Sequence, residues 1–293
     1  MSYVSTVIPG ISCTAQEQYQ ETETYQDEVI IKPGGLFRKA ITEMQIKTRT
    51  VTKTRTVERR LDALRDDIYD AFDKLIISID FCKIPAGQFM MGEKGSQRQV
   101  TIDKDFYLGK YPVTQAQWQA VRGNNPSHFK GAPNLPVESV SWNDCQEFCK
   151  KLNQQAGHEL YRMPTEAEWE YACRASTTSP FAFSETITPA FVNFSGNKRR
   201  ETLPVGSLKL ANAFGLFDMH GNVWEWCQDW YGEYSSDPIA NPRGPSTGKS
   251  RVVRGGSWVD DSNSCRSAIR SGISPVTRSI YVGFRVAVST PTP

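Results

Sequence analysis

Cysteine, histidine and the paired carboxylates are where chemistry is sought first in this sequence. Seven cysteines are present (Cys13, Cys82, Cys145, Cys149, Cys173, Cys227 and Cys265), odd in number and without a C-x-x-C pair. That usage fits buried free thiols rather than a disulfide framework. Cys145 and Cys149 stand four apart on an expected helix, which suits core packing better than a metal. The three histidines, His128, His158 and His220, have no zinc spacing. The segment Asp218-Met219-His220-Gly221-Asn222-Val223-Trp224-Glu225 joins two carboxylates across a glycine turn. Such hard oxygen donors suit a structural calcium ion or bonds to backbone and arginine.

A second segment, Arg254 to Arg285, carries two sets of residues. One is a frame of Gly255, Gly256, Trp258, Pro275, Gly283, Phe284 and the arginines 254, 266, 270, 278 and 285. The other fills the gaps: 259–264, Ile269, 271–274, Val276-Thr277 and 279–282. From Val259 to the C-terminus the chain uses no Lys, Glu, Gln, Met or Trp, although the rest uses all of them.

The elements that position these residues follow from pattern. The 293 residues, 39% apolar and of net charge +2, fit a globular chain with a sizeable core. No basic patch points to nucleic acid, and no apolar span reaches transmembrane length. The N-terminus shows no secretory signal, so a cytoplasmic protein is expected. Residues 1–24 read as a polar tail and 25–76 as a small strand and helix module. There, 46–57 alternates threonine like a strand, and 58–76 spaces Leu61, Leu64, Ile68, Phe72 and Leu75 like an amphipathic helix. That face needs a partner, either the second domain or another copy of the chain.

From residue 77 to about 290 a mixed α+β domain is expected. Its signals are a strand pair over 81–92, one strand over 101–108, a helix from Gln115 capped by Thr114, and a helix opened by Ser141-Trp142-Asn143-Asp144. Thr165 with Glu168 forms a capping box. Residues 176–245 read as irregular backbone, and a loop that long in a compact domain needs internal polar or metal ties.

These motifs together resemble the formylglycine-generating enzyme family, a variant of the C-type lectin-like fold. The matching residues are Ile84-Pro85-Ala86-Gly87, Pro112-Val113-Thr114, Val140-Ser141-Trp142, Tyr161-Arg162-Met163-Pro164-Thr165-Glu166-Ala167-Glu168-Trp169-Glu170, 212–226, Arg254-Gly255-Gly256-Ser257-Trp258 and Gly283-Phe284-Arg285. The resemblance implies a calcium site at Asp218, Gly221, Val223 and Glu225. It also implies two Cu(I)-binding cysteines, two and seven residues after Trp258. Those positions hold Asp260 and Cys265, so the first thiolate is missing and no copper is expected. An oxidase acting on protein cysteine or small sulfur compounds is the alternative reading.

The filler alphabet has its own reading. If both adenines of the asparagine codon AAC vary and the C stays, Lys, Glu, Gln, Met and Trp are out of reach. Every filler lies within the reachable set. The frame and its C-terminal position look like the variable region of diversity-generating retroelement target proteins. The implied function is non-enzymatic ligand binding, with a protein as the expected ligand. The binding residues are then Val259, Asp260, Asp261, Asn263, Ser264, Ile269, Ser271, Gly272, Ile273, Ser274, Val276, Thr277, Ser279, Ile280 and Tyr281.

Overall fold

A computed structural model describes residues 3–7, 63–69, 75–156, 159–196 and 198–289. The chain divides into two compact units, Ser5–Arg65 and the remainder. The expected strand at 46–57 and most of the N-terminal module lie outside the described residues. Two strands precede the main domain: β1 at Tyr3–Val7, within the stretch read as a polar tail, and β2 at Ala63–Tyr69. The helix expected over 58–76 is therefore corrected, since 63–69 is strand and a further strand begins at Leu75. Helical spacing is a weak prior. The Asp66-Asp67 pair and the β-favouring Ile68-Tyr69 work against it, as do the branched residues of Leu75-Ile76-Ile77.

The main domain is built on three small sheets. In the first, β3 (Leu75–Ile84), β6 (Phe106–Gly109), β13 (Ala287–Ser289) and β7 (Tyr161–Arg162) lie side by side in that order. The C-terminal strand β13 is antiparallel to both β6 and β7, with Ala287 opposite Leu108 and Arg162. The strand β13 is thus inserted between β6 and β7. The second sheet runs β11 (Arg270–Ile273), β10 (Arg251–Arg254), β8 (Trp224–Trp230) and β12 (Val282–Gly283). The third pairs β4 (Gly87–Met91) with β5 (Arg98–Ile102) and β9 (Ile239–Ala240). The single strand expected over 101–108 is two strands, β5 and β6. The polar turn Asp103-Lys104-Asp105 separates them, and Asp105 accepts the Ala86 amide at 2.8 Å.

The helices begin where their caps predict. For α1 (Gln115–Arg122), Thr114 accepts the Gln117 amide while the Gln117 side chain accepts the Thr114 amide. Gly123 ends it in the left-handed region at φ 79°. Helix α2 (Trp142–Ala156) starts with reciprocal bonds between Ser141 and Asp144. Helix α3 (Glu166–Arg174) has the expected box of Thr165 and Glu168. Cys145 and Cys149 both face the core and are buried, as their spacing suggests.

Two packing centres fix the site. Trp169 and Ala172 of α3, Leu108, Cys227, Val252 and Ala287 share one buried cluster, so α3 ties the first sheet to the second. Trp118, Phe148 and Phe284 form the other: Trp118 stacks on Phe148 at 5.4 Å, and Phe284 meets both edge-on at 6.0 and 5.3 Å. The region read as wholly irregular contains β8, a core strand. The rest of it is held by asparagines. Asn212 donates to Ala172 and Cys173 carbonyls and accepts the Phe214 and Leu216 amides. Asn222 accepts the Leu203 amide and returns a bond to the Leu203 carbonyl. The expected internal ties are thus polar.

Phe284→Ala removes the ring common to two edge-on contacts in a fully buried position. Its expected cost is about 3–5 kcal/mol, read as a loss of unfolding free energy in urea.

Candidate functional site: a fixed frame under an exposed loop surface

The two ends of the frame, 254–258 and 283–285, are buried, Arg266, Arg270 and Pro275 are half-buried and Arg278 is exposed, while every filler but one is exposed or half-buried. Arg254, Gly255, Gly256, Ser257, Trp258, Gly283, Phe284 and Arg285 are buried. Val259, Asp261, Asn263, Gly272, Ser274, Val276, Thr277 and Tyr281 are exposed. Asp260, Ser264, Ile269, Ser271, Ile273, Ser279 and Ile280 are half-buried. Val282, grouped with the fillers by position, is the exception. It is buried in β12 and belongs to the core, because β12 pairs parallel with β8.

Each frame arginine reaches a carboxylate on another element. Arg285 takes both oxygens of Glu225 at 2.6 Å and also donates to the Gly109 and Phe217 carbonyls. Glu225 further accepts the Trp169 indole N–H at 2.6 Å. Arg254 bonds Glu170 and the Ile269 carbonyl. Arg270 takes both oxygens of Glu166 at 2.6 and 2.7 Å while its guanidinium lies over Tyr231 and Tyr234, at 4.4 and 4.1 Å. Arg278 holds Asp144 in the same two-point manner at 2.8 and 2.9 Å, and Arg266 reaches Glu93 at 2.7 Å. A guanidinium fork fixes orientation as well as distance, which a lysine ammonium does not. The sequence pointed to carboxylates in general as partners. Their identity is missed by sequence reasoning, although Glu166 and Glu170 stand one turn apart on α3.

The turn after β10 requires glycine. Gly255 and Gly256 have φ of 99° and 72°. A Cβ on Gly256 would lie 2.6 Å from the Cys265 sulfur and 2.9 Å from the Ser264 carbonyl. Cys265 ends a short 3-10 turn, Asn263–Cys265, stabilised by Asp261, which accepts the Ser264 amide and hydroxyl at 2.9 Å. Burial pushes the Cys265 thiol well above the usual range, and Asp260 and Asp261 add to the effect. A thiol held protonated in this way packs as a small apolar group.

His220 supports the same turn from below. The Ala182 amide donates to Nε2 at 3.1 Å, so Nδ1 carries the proton and donates to the Cys265 carbonyl at 2.8 Å. Burial lowers its pKa to about 4. Trp258 rests edge-on against Phe129 at 5.4 Å, and the Phe129 amide donates to the buried carboxylate of Glu138. Burial raises the pKa of that carboxylate.

Asp260 differs from the other fillers. Its carboxylate accepts the Trp224 indole N–H at 2.8 Å and the Ser257 hydroxyl, and its carbonyl accepts the Ser195 amide at 2.8 Å. It braces the loop as much as it faces outward.

The expected calcium residues are not arranged around a cation. Both Glu225 oxygens are used by Arg285, and one also by Trp169. Asp218 accepts the Gly206 amide at 2.7 Å, and burial raises its pKa to about 6. Gly221 donates its amide to the Gly255 carbonyl, and Val223 is buried beside Gly283. A calcium ion held by both carboxylates does not fit this arrangement. Among the described residues no group of three or more His, Cys, Asp or Glu could hold a metal.

This combination of small sheets, short capped helices and a late strand β13 inserted between β6 and β7 is a C-type lectin-like fold of the formylglycine-generating enzyme type. The sulfatase-modifying factor enzyme 1-like domain family matches residues 78–290, and the chain belongs to that family. It is 37% identical to the formylglycine-generating enzyme of Streptomyces coelicolor, over 60% of this chain and 59% of that one. It is 30% identical to the Bos taurus formylglycine-generating enzyme, over 87% and 73%. Among solved structures, Treponema denticola variable protein 1 superposes with a TM-score of 0.67 and 29% identity, covering 72% of this chain and 95% of that one. PvdO from Pseudomonas aeruginosa gives 0.63 and 28%, with the same coverages. No helix among the described residues is long and apolar enough to cross a membrane.

Two expectations separate frame from filler. Arg285→Met leaves Glu225 buried and unpaired, and costs about 3–5 kcal/mol in chemical denaturation. Val276→Ser and Asn263→Ala change stability by no more than ~0.5 kcal/mol in the same measurement. A further expectation concerns acid. The pKa of His220 is about 4 folded against 6.5 for the free group, so the unfolded chain takes the proton first. The contribution of the neutral histidine is complete above pH 6.5 and declines as pH falls toward 4. Over that range the wild type loses roughly 3 kcal/mol relative to His220→Gln, measured by paired urea melts. The comparison with the variant cancels Asp218 and Asp229. Their raised pKa values, about 6 and about 7, act in the opposite sense.

Proposed function

We propose that this chain is a non-enzymatic ligand-binding protein, the variable protein of a diversity-generating retroelement, displaying a diversified surface over 259–281. One observation carries the reading. Within one segment, every filler except Val282 has solvent access, and the frame residues at its two ends, 254–258 and 283–285, are buried. A catalytic loop has no reason to sort in this way. A surface rewritten by mutagenesis does, because exposed substitutions hardly change stability while a buried frame keeps the backbone in place.

The similarity to Treponema denticola variable protein 1 supports this reading. The enzymes among the relatives support the alternative, an oxidase. Against it stands the geometry of the two positions where the family places its thiolates. Asp260 binds Trp224 and Ser257, and Cys265 is buried with its thiol held protonated. One such thiol beside a carboxylate does not make a two-thiolate Cu(I) site. The buried free thiols fit a cytoplasmic protein.

The genomic test is the DNA beside the gene. A reverse transcriptase and a near-copy of the 3′ end differing only at adenines are expected there. The biochemical test is a library with the filler codons redrawn as AAC mutated at its adenines. Most members are expected to fold with unfolding midpoints near the parent's, and selection against a panel of folded proteins is expected to return binders. Copper-dependent oxidation of a sulfatase cysteine peptide by the purified chain would refute the proposal.

A further inference from the structure

The diversified segment includes a sheet edge. Strand β11, Arg270-Ser271-Gly272-Ile273, is the outermost strand of the second sheet. On one side it pairs antiparallel with β10, from Arg254 opposite Arg270 to Arg251 opposite Ile273. Among the described residues, no other backbone hydrogen bond reaches the amides or carbonyls of 270–273. In an antiparallel edge strand alternate residues turn both N–H and C=O away from the sheet. Those groups form a template for one more strand.

The template is rigid. Arg270 is clamped on Glu166 and on the Gly232 carbonyl, and the Ile269 carbonyl accepts from Arg254. Gly272 lies against Tyr231 on the side where a Cβ would stand, which is a face of the sheet. The strand is short and Pro275 follows it, features that keep an edge from pairing indiscriminately.

The surroundings narrow the occupant. Val276, 64% exposed, follows β11 within three residues and supplies apolar contact there, while the exposed Tyr281 adjoins β12 at the other edge of the sheet. The segment's cations are already committed: Arg266 to Glu93, Arg270 to Glu166 and Arg278 to Asp144. Among the described residues, Asp261 has no cation in hydrogen-bonding contact, and its carboxylate bonds Ser264. The charge left for a ligand is therefore negative.

Resting on the binding function proposed above, we infer that the ligand is an extended peptide segment of a partner protein, carrying apolar residues and a Lys or Arg, added as a strand to the outer edge of β11. Main-chain hydrogen bonds supply binding that does not depend on the partner's sequence, and the fillers on either side select its side chains. This division suits a surface whose side chains are rewritten while its backbone stays fixed. A mutagenised loop without such a template must find all of its affinity anew in each variant.

The test uses the full chain and random linear peptides displayed on phage. Enriched peptides are expected to carry Lys or Arg with apolar neighbours and to protect amides of 270–273 from hydrogen exchange. N-methylation of the synthetic peptide at alternate residues is expected to weaken binding by about 10-fold per methyl group, with the intervening residues indifferent. Peptides that bind without protecting 270–273, or that tolerate N-methylation at every residue, overturn the inference. So does protection of 270–273 by a second copy of the chain, seen as a concentration-dependent mass in light scattering. If the filler library returns binders to folded proteins but no linear peptide is enriched, strand addition falls and the binding function stands. If neither selection returns a binder, both fall.

Discussion

Two buried arginine–carboxylate pairs hold the site together. Arg285 on Glu225 and Arg254 on Glu170 are inaccessible to solvent on both sides. Taking such charges out of water is expensive, and their attraction compensates only when the geometry is good and the remaining donors are satisfied. Here the spare Arg285 donors reach the Gly109 and Phe217 carbonyls, and Glu225 takes the Trp169 indole. Hydrophobic residues of equal volume would hold a core as firmly. They would not fix the direction in which the chain leaves it. The two-point contact of Arg285 does, and Arg254 is held by Glu170 and the Ile269 carbonyl together; the chain leaves this core twice, after Arg254 and before Arg285.

The other arginines extend the same device outward with decreasing burial. Arg270 is clamped within the sheet edge, Arg266 is partly exposed, and the Arg278 side chain is 58% exposed against a half-buried Asp144. An exposed pair adds little stability, because solvent screens it and two long side chains must be ordered. Its use here is positional. It holds each crest of the loop to a helix or strand whose own place is set by the core. The loop has several such attachments and short spans between them, so replacing a side chain between two attachments leaves both in position.

Much of this arrangement is legible in the sequence, for identifiable reasons. The helix caps depend on residues three apart, and they fall where Thr114, Ser141 and Thr165 place them. The division into frame and filler is also legible, because it is written in residue types rather than in contacts. The N-terminal segment misleads. The spacing of Leu61, Leu64 and Ile68 satisfies a helix, but strand pairing is decided by partners outside the segment itself, and β2 forms instead. Val282 misleads for a related reason. Its residue type belongs to the filler set, yet the parallel pairing of β12 with β8 places it in the core. Asp218 and Glu225 look equivalent in sequence. Only the fold shows that one meets a backbone amide and the other an arginine.

Asp260 and Gly272 mark the limit of the separation between holding and choosing. Asp260 is a filler by alphabet and a brace by geometry, since it receives Trp224, Ser257 and, through its carbonyl, Ser195. The carbonyl bond survives any side chain. The Trp224 indole needs an acceptor, which among the reachable residues Asn, Asp, Ser, Thr and His can supply and Val, Ile, Ala, Leu and Phe cannot. Gly272 imposes the opposite restriction. A Cβ there would lie 2.8 Å from the Tyr231 ring, so a larger residue is accommodated only if that exposed ring turns away. The surface is therefore less free than its alphabet suggests. Position 260 favours polar residues because of a donor beneath it, and position 272 is coupled to an aromatic outside the segment. Diversity at such positions changes the orientation of neighbouring fixed groups along with the side chain itself.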